Sequence, residues 1–429
     1  MREVVIVSGS RTAIGNFGGS LKNVPVVRLG AAVIRDVLER VGLRPISDSK
    51  IDLVIPDHLK NKRMAELEHK SSEWDDSLTP VVVDEVIMGN VLQAGQGQNP
   101  ARQALIHAGL AIETPALAIN KVCGSALRAI ALGATSIRAG QNDIVIAGGQ
   151  ENMSRVPLAL PNARWGYKME LTGKGEICDL MVFDGLYEIF YGYHMGVTAE
   201  NIASIYGISR KEQDELSVLS HARAMAAIRA GLFKEEIVPL KLDNGRGKTV
   251  VFDRDERPRD TSMEQMARLK PAFKEGGTVT AGNSSGVNDA ASAVLLMSAD
   301  KAKELGLEPI VKIKTFASVG VEPALMGLGP VPAVMKVLKD AKMTLDDIDM
   351  IELNEAFAAQ AIACMRQLGI ENDRPNELGS GISLGHPIGC TGSRQVVTGM
   401  NQMKRKGYHT GLFTLCVGGG MGMAMIVER

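Results

Sequence analysis

Cys123 stands in Asn120-Lys121-Val122-Cys123-Gly124-Ser125-Ala126, between the apolar run Ala116–Ile119 and an Ala-rich pattern from 126 to 139. The first reads as a strand and the second as a helix, so the cysteine sits at a strand-to-helix junction. There the free amides and the positive end of the helix dipole favour thiolate over thiol, which makes Cys123 a candidate nucleophile; a buried structural thiol is the alternative. His386, one of seven histidines, lies in Ser383-Leu384-Gly385-His386-Pro387-Ile388-Gly389-Cys390-Thr391-Gly392. Pro387 keeps the preceding residue out of the helical region and the glycines allow close backbone approach, a presentation suited to a base as well as to a satisfied loop histidine. Residues 412–417 form an apolar strand that runs into Gly418-Gly419-Gly420-Met421-Gly422, and 423–427 read as a returning strand. Cys416 therefore lies near bare backbone amides, with plain packing and a hairpin turn as the simpler accounts.

Together with Asn354-Glu355-Ala356-Phe357-Ala358, these segments resemble, in order and spacing, the four signature blocks of the thiolases, the acetyl-CoA C-acyltransferases. The similarity runs from Val4 through the last strand, leaving only about residues 44–80 outside it. Four blocks in register are specific where one alone is weak. The resemblance implies an acyl-enzyme on Cys123, with His386 as its base and Cys416 as the base that removes a proton from the acetyl methyl carbon. It implies oxyanion donors from the amides of Cys123 and Gly418, and an enolate oxygen held by His386 and a water on Asn354. On sequence alone Asn354 could equally cap a helix over 355–365. His194, Met195, Phe273 and Ser285 match pantetheine- or thioester-contacting positions, Phe357 belongs to a signature block near the substrate, and Arg259 matches a position near the adenine. For Met195 and Phe273 the other reading is core packing, and for Arg259 a solvated surface. Met195 and Met326 match bulky positions at the acyl end of short-chain members.

The implied reaction is condensation of two acetyl-CoA to acetoacetyl-CoA and CoA, and its reversal by thiolysis. A 3-ketoacyl-CoA thiolase of broader chain length and a non-catalytic acyl-CoA-binding scaffold are the other readings, and Cys416 with its glycine run argues against the related condensing enzymes. Coenzyme A and acyl-CoA enter as substrates, with no permanently bound cofactor expected. A dimer or tetramer of identical chains is implied by the resemblance alone.

Composition agrees with a large enzyme. At 429 residues, 45% of them hydrophobic, the chain can fill two or more domain-sized cores. A formal net charge of -1 argues against a nucleic-acid partner. No apolar stretch reaches membrane-span length, and the chain enters a strand within three residues, which leads to the expectation of a cytoplasmic protein without a signal peptide. Five scattered cysteines fit reduced thiols, and the absence of paired Cys or His spacings argues against a metal site. Cys390, where a small residue is common, reads as a filler.

The chain also repeats itself: strand, Cys123 helix and strand 143–149 in the first half, and strand 348–354, His386 loop, helix 393–406 and the Cys416 strand in the second. Alternating strands and helices predict stacked α/β units with mainly parallel sheets. The thiolase resemblance implies two similar halves in a five-layered α/β/α/β/α core, an N-terminal domain over 1–300 and a C-terminal domain over 308–429. A loop domain, about 157–282, contains a helix over 209–230 and the charged run Asp253-Arg254-Asp255-Glu256-Arg257. The segment 44–80, many charges without an apolar face, reads as a surface insertion with a short helix over 58–70.

Overall fold

The computed structural model describes residues 2–47, 73–167, 175–243 and 247–429. The first half runs β1 (Val4–Arg11), α1 (Val26–Glu39), β2 (Glu85–Gly89), α2 (Pro100–Ala108), β3 (Ala116–Ile119), α3 (Ser125–Arg138) and β4 (Ile144–Asn152). After α4 (Met195–Ile205) and α5 (Arg210–Arg229) in the intervening region, β5 (Asn288–Ser298) completes it. The second half is β6 (Val311–Gly320), α6 (Pro330–Ala341), β7 (Met350–Leu353), α7 (Ala358–Leu368), α8 (Thr391–Lys406), β8 (Thr410–Val417) and β9 (Met421–Glu428). β1, β4 and β5 are buried along their whole length, and their near-continuous apolar sequence follows from being covered on both faces.

The repeat is visible in the sheet. Its strands follow the order β7-β8-β9-β6-β1-β5-β4-β2-β3, with the halves meeting where Val5 faces Lys312 and Ile6 faces Val311. Outward from that seam the directions repeat: β1/β5 and β5/β4 are antiparallel and β4/β2 parallel, as β6/β9 and β9/β8 are antiparallel and β8/β7 parallel. The sheet is therefore mixed, where parallel strands were expected. The cause in the second half is the turn at Gly418–Gly420, with Gly419 at φ 78° and Gly420 at φ 80°. So short a connection can only join antiparallel neighbours.

Five layers result. α1 and α2 cover one face of the first half-sheet; α3 and α8 pack on each other between the half-sheets; α6 and α7 lie on the far side of the second. A middle-layer helix is buried all round, which explains why Thr391 through Met400 of α8 are all buried, and why α3 carries Ala126, Ala129, Ala131 and Ala134 where a large side chain would hold the layers apart. α5 starts one residue after its expected position, with Ser209 and Glu212 forming a reciprocal capping box.

Two polar segments are anchored to the core. In the charged run, Asp255 is buried with Arg11, whose Nη1 lies 2.8 Å from Asp255 Oδ1 and whose Nε lies 2.6 Å from Glu236 Oε1. Arg257 bonds Ser284 O at 2.9 Å and Ile382 O at 2.7 Å. Buried charges need such partners, and they fasten the loop region to β1. The ends of segment 44–80 are likewise anchored: Leu43–Pro45 pairs in parallel with Thr79–Val81, and Trp74 bonds Gly109 O at 2.9 Å beneath the Arg35 guanidinium. The helix expected over 58–70 lies outside the described residues.

Candidate active site

The turn that presents Cys123 is strained. Val122 has φ 45°, a left-handed conformation that a β-branched residue rarely adopts. Three bonds hold it there: Val122 N to Asn120 Oδ1 at 2.8 Å, Lys121 N to Ser125 Oγ at 2.8 Å, and Ser125 Oγ to Val122 O at 2.7 Å. Gly124 then starts α3, and Cys123 lies buried above it. The amides of Gly418 and of Cys123 itself favour the thiolate, yet burial outweighs them and pushes the thiol up to about 11. The resting group is thus a thiol, where the helix terminus alone had pointed to a thiolate.

His386 is delivered by the second half, between the one-turn helix Gly381–Leu384 and α8. Its N–H donates to Asn288 Oδ1 at 3.0 Å, and its Nδ1 lies 2.7 Å from Thr391 Oγ1. Thr391 Oγ1 in turn donates to Pro387 O at 3.0 Å. The carbonyl takes the hydroxyl proton in this arrangement, which lets Nδ1 carry the ring proton and leaves Nε2, without a partner among the described residues, a free lone pair. Burial, with Arg394 adding to it, pushes the imidazole down to about 3, so the ring is neutral and basic at Nε2.

Cys416, near the end of β8, is fully buried; burial first and neighbouring Cys123 second push its thiol far up. The following turn supplies the Gly418 amide that reaches Cys123. Cys123, His386, Cys416 and Gly418 share the wall of one cavity of about 50 Å³ with Met195, Met326, Phe357, His194 and Ser285. A water needs about 10–15 Å³ of such space, so the cavity is small but holds more than one water. Larger hollows, about 310 Å³ beside Glu3 and Lys312 and about 260 Å³ beside Tyr206 and Leu325, contain no cysteine.

Two thiols and an imidazole drawn from both halves of a duplicated fold match the signature blocks, and comparison with known families decides the matter. The N-terminal domain of thiolase matches residues 4–60 and 73–300, and its C-terminal domain residues 307–429. The chain belongs to the thiolase family. It is 50% identical over 429 residues to an acetyl-CoA acetyltransferase of Syntrophomonas wolfei, covering 100% of this chain and 99% of that protein. A protein of the same name from Cupriavidus necator is 49% identical over 430 residues, with 100% of both chains covered. Among solved structures, the Bacillus anthracis acetyl-CoA acetyltransferase superposes with a TM-score of 0.88 at 40% identity, covering 100% of this chain and 99% of that one. The family match resumes after a break at 61–72, so it takes in much of the segment expected to lie outside it.

Not every residue expected from the thiolase resemblance reaches the cavity. Phe273 packs beside it, stacked on His194 at 4.8 Å between ring centres and edge-on to Phe357 at 6.0 Å. His194 Nδ1 accepts from Gly196 N at 3.0 Å and caps α4. Asn354 is fully buried and does not line the cavity, its amide 3.4 Å from His386 Nδ1 and its Oδ1 without a partner among the described residues. It caps no helix, because α7 begins only at Ala358 with Phe357 as its cap residue. Arg259 is exposed and lines no part of this cavity. Cys390 is a buried filler, its Sγ 3.2 Å from Ser292 Oγ and its thiol pushed up to about 12 by burial. Gly185, Leu186, Ile388, Val122 and Ala356 complete the wall unannounced; only the last three had a sequence cue, lying within one or two residues of a chemical or signature residue. No helix among the described residues is long and apolar enough to cross a membrane.

Proposed function

We propose that this thiolase is an acetyl-CoA acetyltransferase, condensing two acetyl-CoA to acetoacetyl-CoA and CoA and catalysing the reverse thiolysis. The observation that carries the short-chain reading is the acyl cavity of about 50 Å³ with Met195 and Met326 in its wall. The relatives that carry this name at about half identity support it.

In the first half-reaction Cys123 Sγ attacks the thioester carbonyl while its proton passes to His386 Nε2. The proton then goes to the departing CoA sulfur, leaving acetyl-Cys123. The Cys123 and Gly418 amides, already aimed at the sulfur, are the donors for the developing oxyanion. In the second, Cys416 passes its proton to His386 and the resulting thiolate removes one from the methyl carbon of a second acetyl-CoA. Protonated His386 and a water on the Asn354 carboxamide hold the enolate oxygen. The carbanion attacks acetyl-Cys123, the C–S bond breaks, and His386 returns a proton to Cys123. A carboxamide suits the Asn354 position because it places no second negative charge beside the enolate.

The same proposal makes region 157–282 a loop domain over coenzyme A, inside an N-terminal domain of 1–300 followed by one of 308–429. His194, Phe273 and Ser285 contact the pantetheine and Arg259 the adenine. No permanently bound cofactor, a homodimer or tetramer, a cytoplasmic setting and a place in fatty acid metabolism belong to it too. The test is thiolysis of acetoacetyl-CoA against a longer 3-ketoacyl-CoA, by wild type and Cys123→Ala. Cleavage of the four-carbon substrate alone, abolished by the substitution, is expected. Equal cleavage of both would make the protein a general 3-ketoacyl-CoA thiolase, and cleavage of neither would leave an acyl-CoA-binding scaffold.

A further inference from the structure

Close to Cys123 lies a buried carboxylate that no step above uses. Glu151, near the end of β4, has no solvent exposure. Its Oε1 accepts from Asn90 Nδ2 at 2.8 Å and Leu92 N at 3.2 Å, and its Oε2 from Val91 N at 2.9 Å and Gly389 N at 3.0 Å. None of the four donors is a cation. Such donors favour the ionised form, but burial wins and pushes the group up to about 7. An ionisable group kept in the interior without a counter-charge is costly, and a neutral apolar side chain would be cheaper if packing were all that mattered.

The four donors come from two places. Asn90, Val91 and Leu92 follow β2 in the half that carries Cys123, whereas Gly389 belongs to the His386 loop of the other half. The Gly389 peptide is fixed at its other end as well. A Cβ on Gly149 would fall 1.9 Å from Gly389 O, one on Gly89 2.7 Å from it, and one on Gly389 itself 2.5 Å from Glu151 Oε2. Its carbonyl thus fills a niche that exists only because Gly89 and Gly149 lack side chains, and its own lack of one leaves room for the carboxylate. A glycine-rich loop has no conformational preference strong enough to hold its own shape, so its geometry comes from such outside pins. Asn288 and Thr391 fix His386 itself, while Glu151 ties the loop to the backbone that precedes the Cys123 strand.

We propose that Glu151 is a positioning residue for the base: its carboxylate sets the His386 loop of the second half in register with the Cys123 turn of the first. The inference rests on the reading of His386 as the base of Cys123. A carboxylate has about four acceptor sites and meets all four donors, whereas an amide in its place aims an NH₂ group at two N–H groups. Glu151→Gln therefore keeps the volume and loses the clamp.

The test compares wild type, Glu151→Gln and Asn90→Ser for kcat and KM in acetoacetyl-CoA thiolysis, with the fraction of chains alkylated at Cys123 by iodoacetamide read by mass spectrometry. Displacing a catalytic group by about 1 Å can cost on the order of 100-fold. Glu151→Gln should lower kcat by about 10- to 100-fold, with KM near the wild-type value and Cys123 still alkylated in every chain. Asn90→Ser, which removes one donor and leaves the carboxylate, should lower kcat by a smaller factor. Wild-type kcat in Glu151→Gln overturns the proposal, as does a fall in kcat matched by a fall in alkylatable chains, which marks a merely structural role. If Glu151→Gln does not fold, unchanged kcat in Asn90→Ser overturns it. Wild type without Cys123-dependent thiolysis removes the functional reading itself, a result separate from an active Glu151→Gln.

Discussion

At Cys123 and His386, the proposed partners of one proton transfer, burial raises the thiol to about 11 and lowers the imidazole to about 3. Each shift disfavours the charged form, so the resting pair is neutral and charge develops only as substrate enters. A thiolate is the form that alkylates, and its fraction rises tenfold per pH unit below the thiol's pKa. The rate of iodoacetamide alkylation at Cys123 should therefore climb steadily from pH 7 to about pH 10. A plateau reached below pH 8 would reveal a preformed thiolate–imidazolium pair and contradict the neutral resting state. The proposed reactive residues stand out in the sequence because their neighbours are peculiar: a strand-to-helix junction, a Gly-His-Pro turn, a glycine run. Val122 and Glu151 were not. A left-handed valine leaves no mark in composition, and Glu151 resembles any glutamate at a strand end until the fold brings four N–H groups to it.

At the scale of elements, the sequence reading located β3, α3, α5 and α8 to within a residue or two, since apolar period and capping residues are local signals. Strand direction is not local, and the expectation of mainly parallel pairing failed where β5 returns after the long intervening region and where β9 returns through a glycine turn. The start of α7 was misplaced because 355–357 are helix-compatible by type, while Glu355 is instead fixed by Ser220 at 2.6 Å and Asn376 at 2.9 Å. Burial of Asp255 in the charged run is hidden for the same reason, its partner Arg11 lying 244 residues away. These non-local fits have a measurable consequence in the niche beneath the His386 loop. Gly149→Ala sets a methyl against a backbone carbonyl, which no rotamer change relieves. Overpacking of this kind costs about 1–3 kcal/mol. A lowered melting temperature and a kcat at least about tenfold down are expected, given how steeply rate depends on position. Wild-type values for both would show that the loop tolerates displacement.

For the molecule as a whole, duplication places the two sets of reacting groups on different halves, and the site exists only where α3 and α8 pack against each other. The sheet that spans both halves has ends of its own. Among the described residues β3 is its last strand on the Cys123 side, bonded to β2 along one edge only, and it is apolar throughout with Leu117 41% exposed. Unpaired edges of this kind invite another strand, and proteins that remain monomeric usually protect them with charge, proline or a bulge. None of the four residues Ala116–Ile119 offers charge or proline. A second copy of the chain lying edge to edge along β3 is the occupant that fits the homo-oligomer proposal. It would bear directly on the adjoining turn, Asn120 to Cys123, whose strain needs support from its surroundings. Leu117→Lys puts a charge on that edge without touching the cavity. Light scattering should show the wild type as a dimer or larger and the variant shifted toward monomer, with thiolysis per chain falling as the turn loses its support. A variant that keeps the wild-type mass would place the subunit contact elsewhere. One that becomes monomeric at full activity would show that the bonds within residues 120–125 hold Val122 in its left-handed conformation unaided.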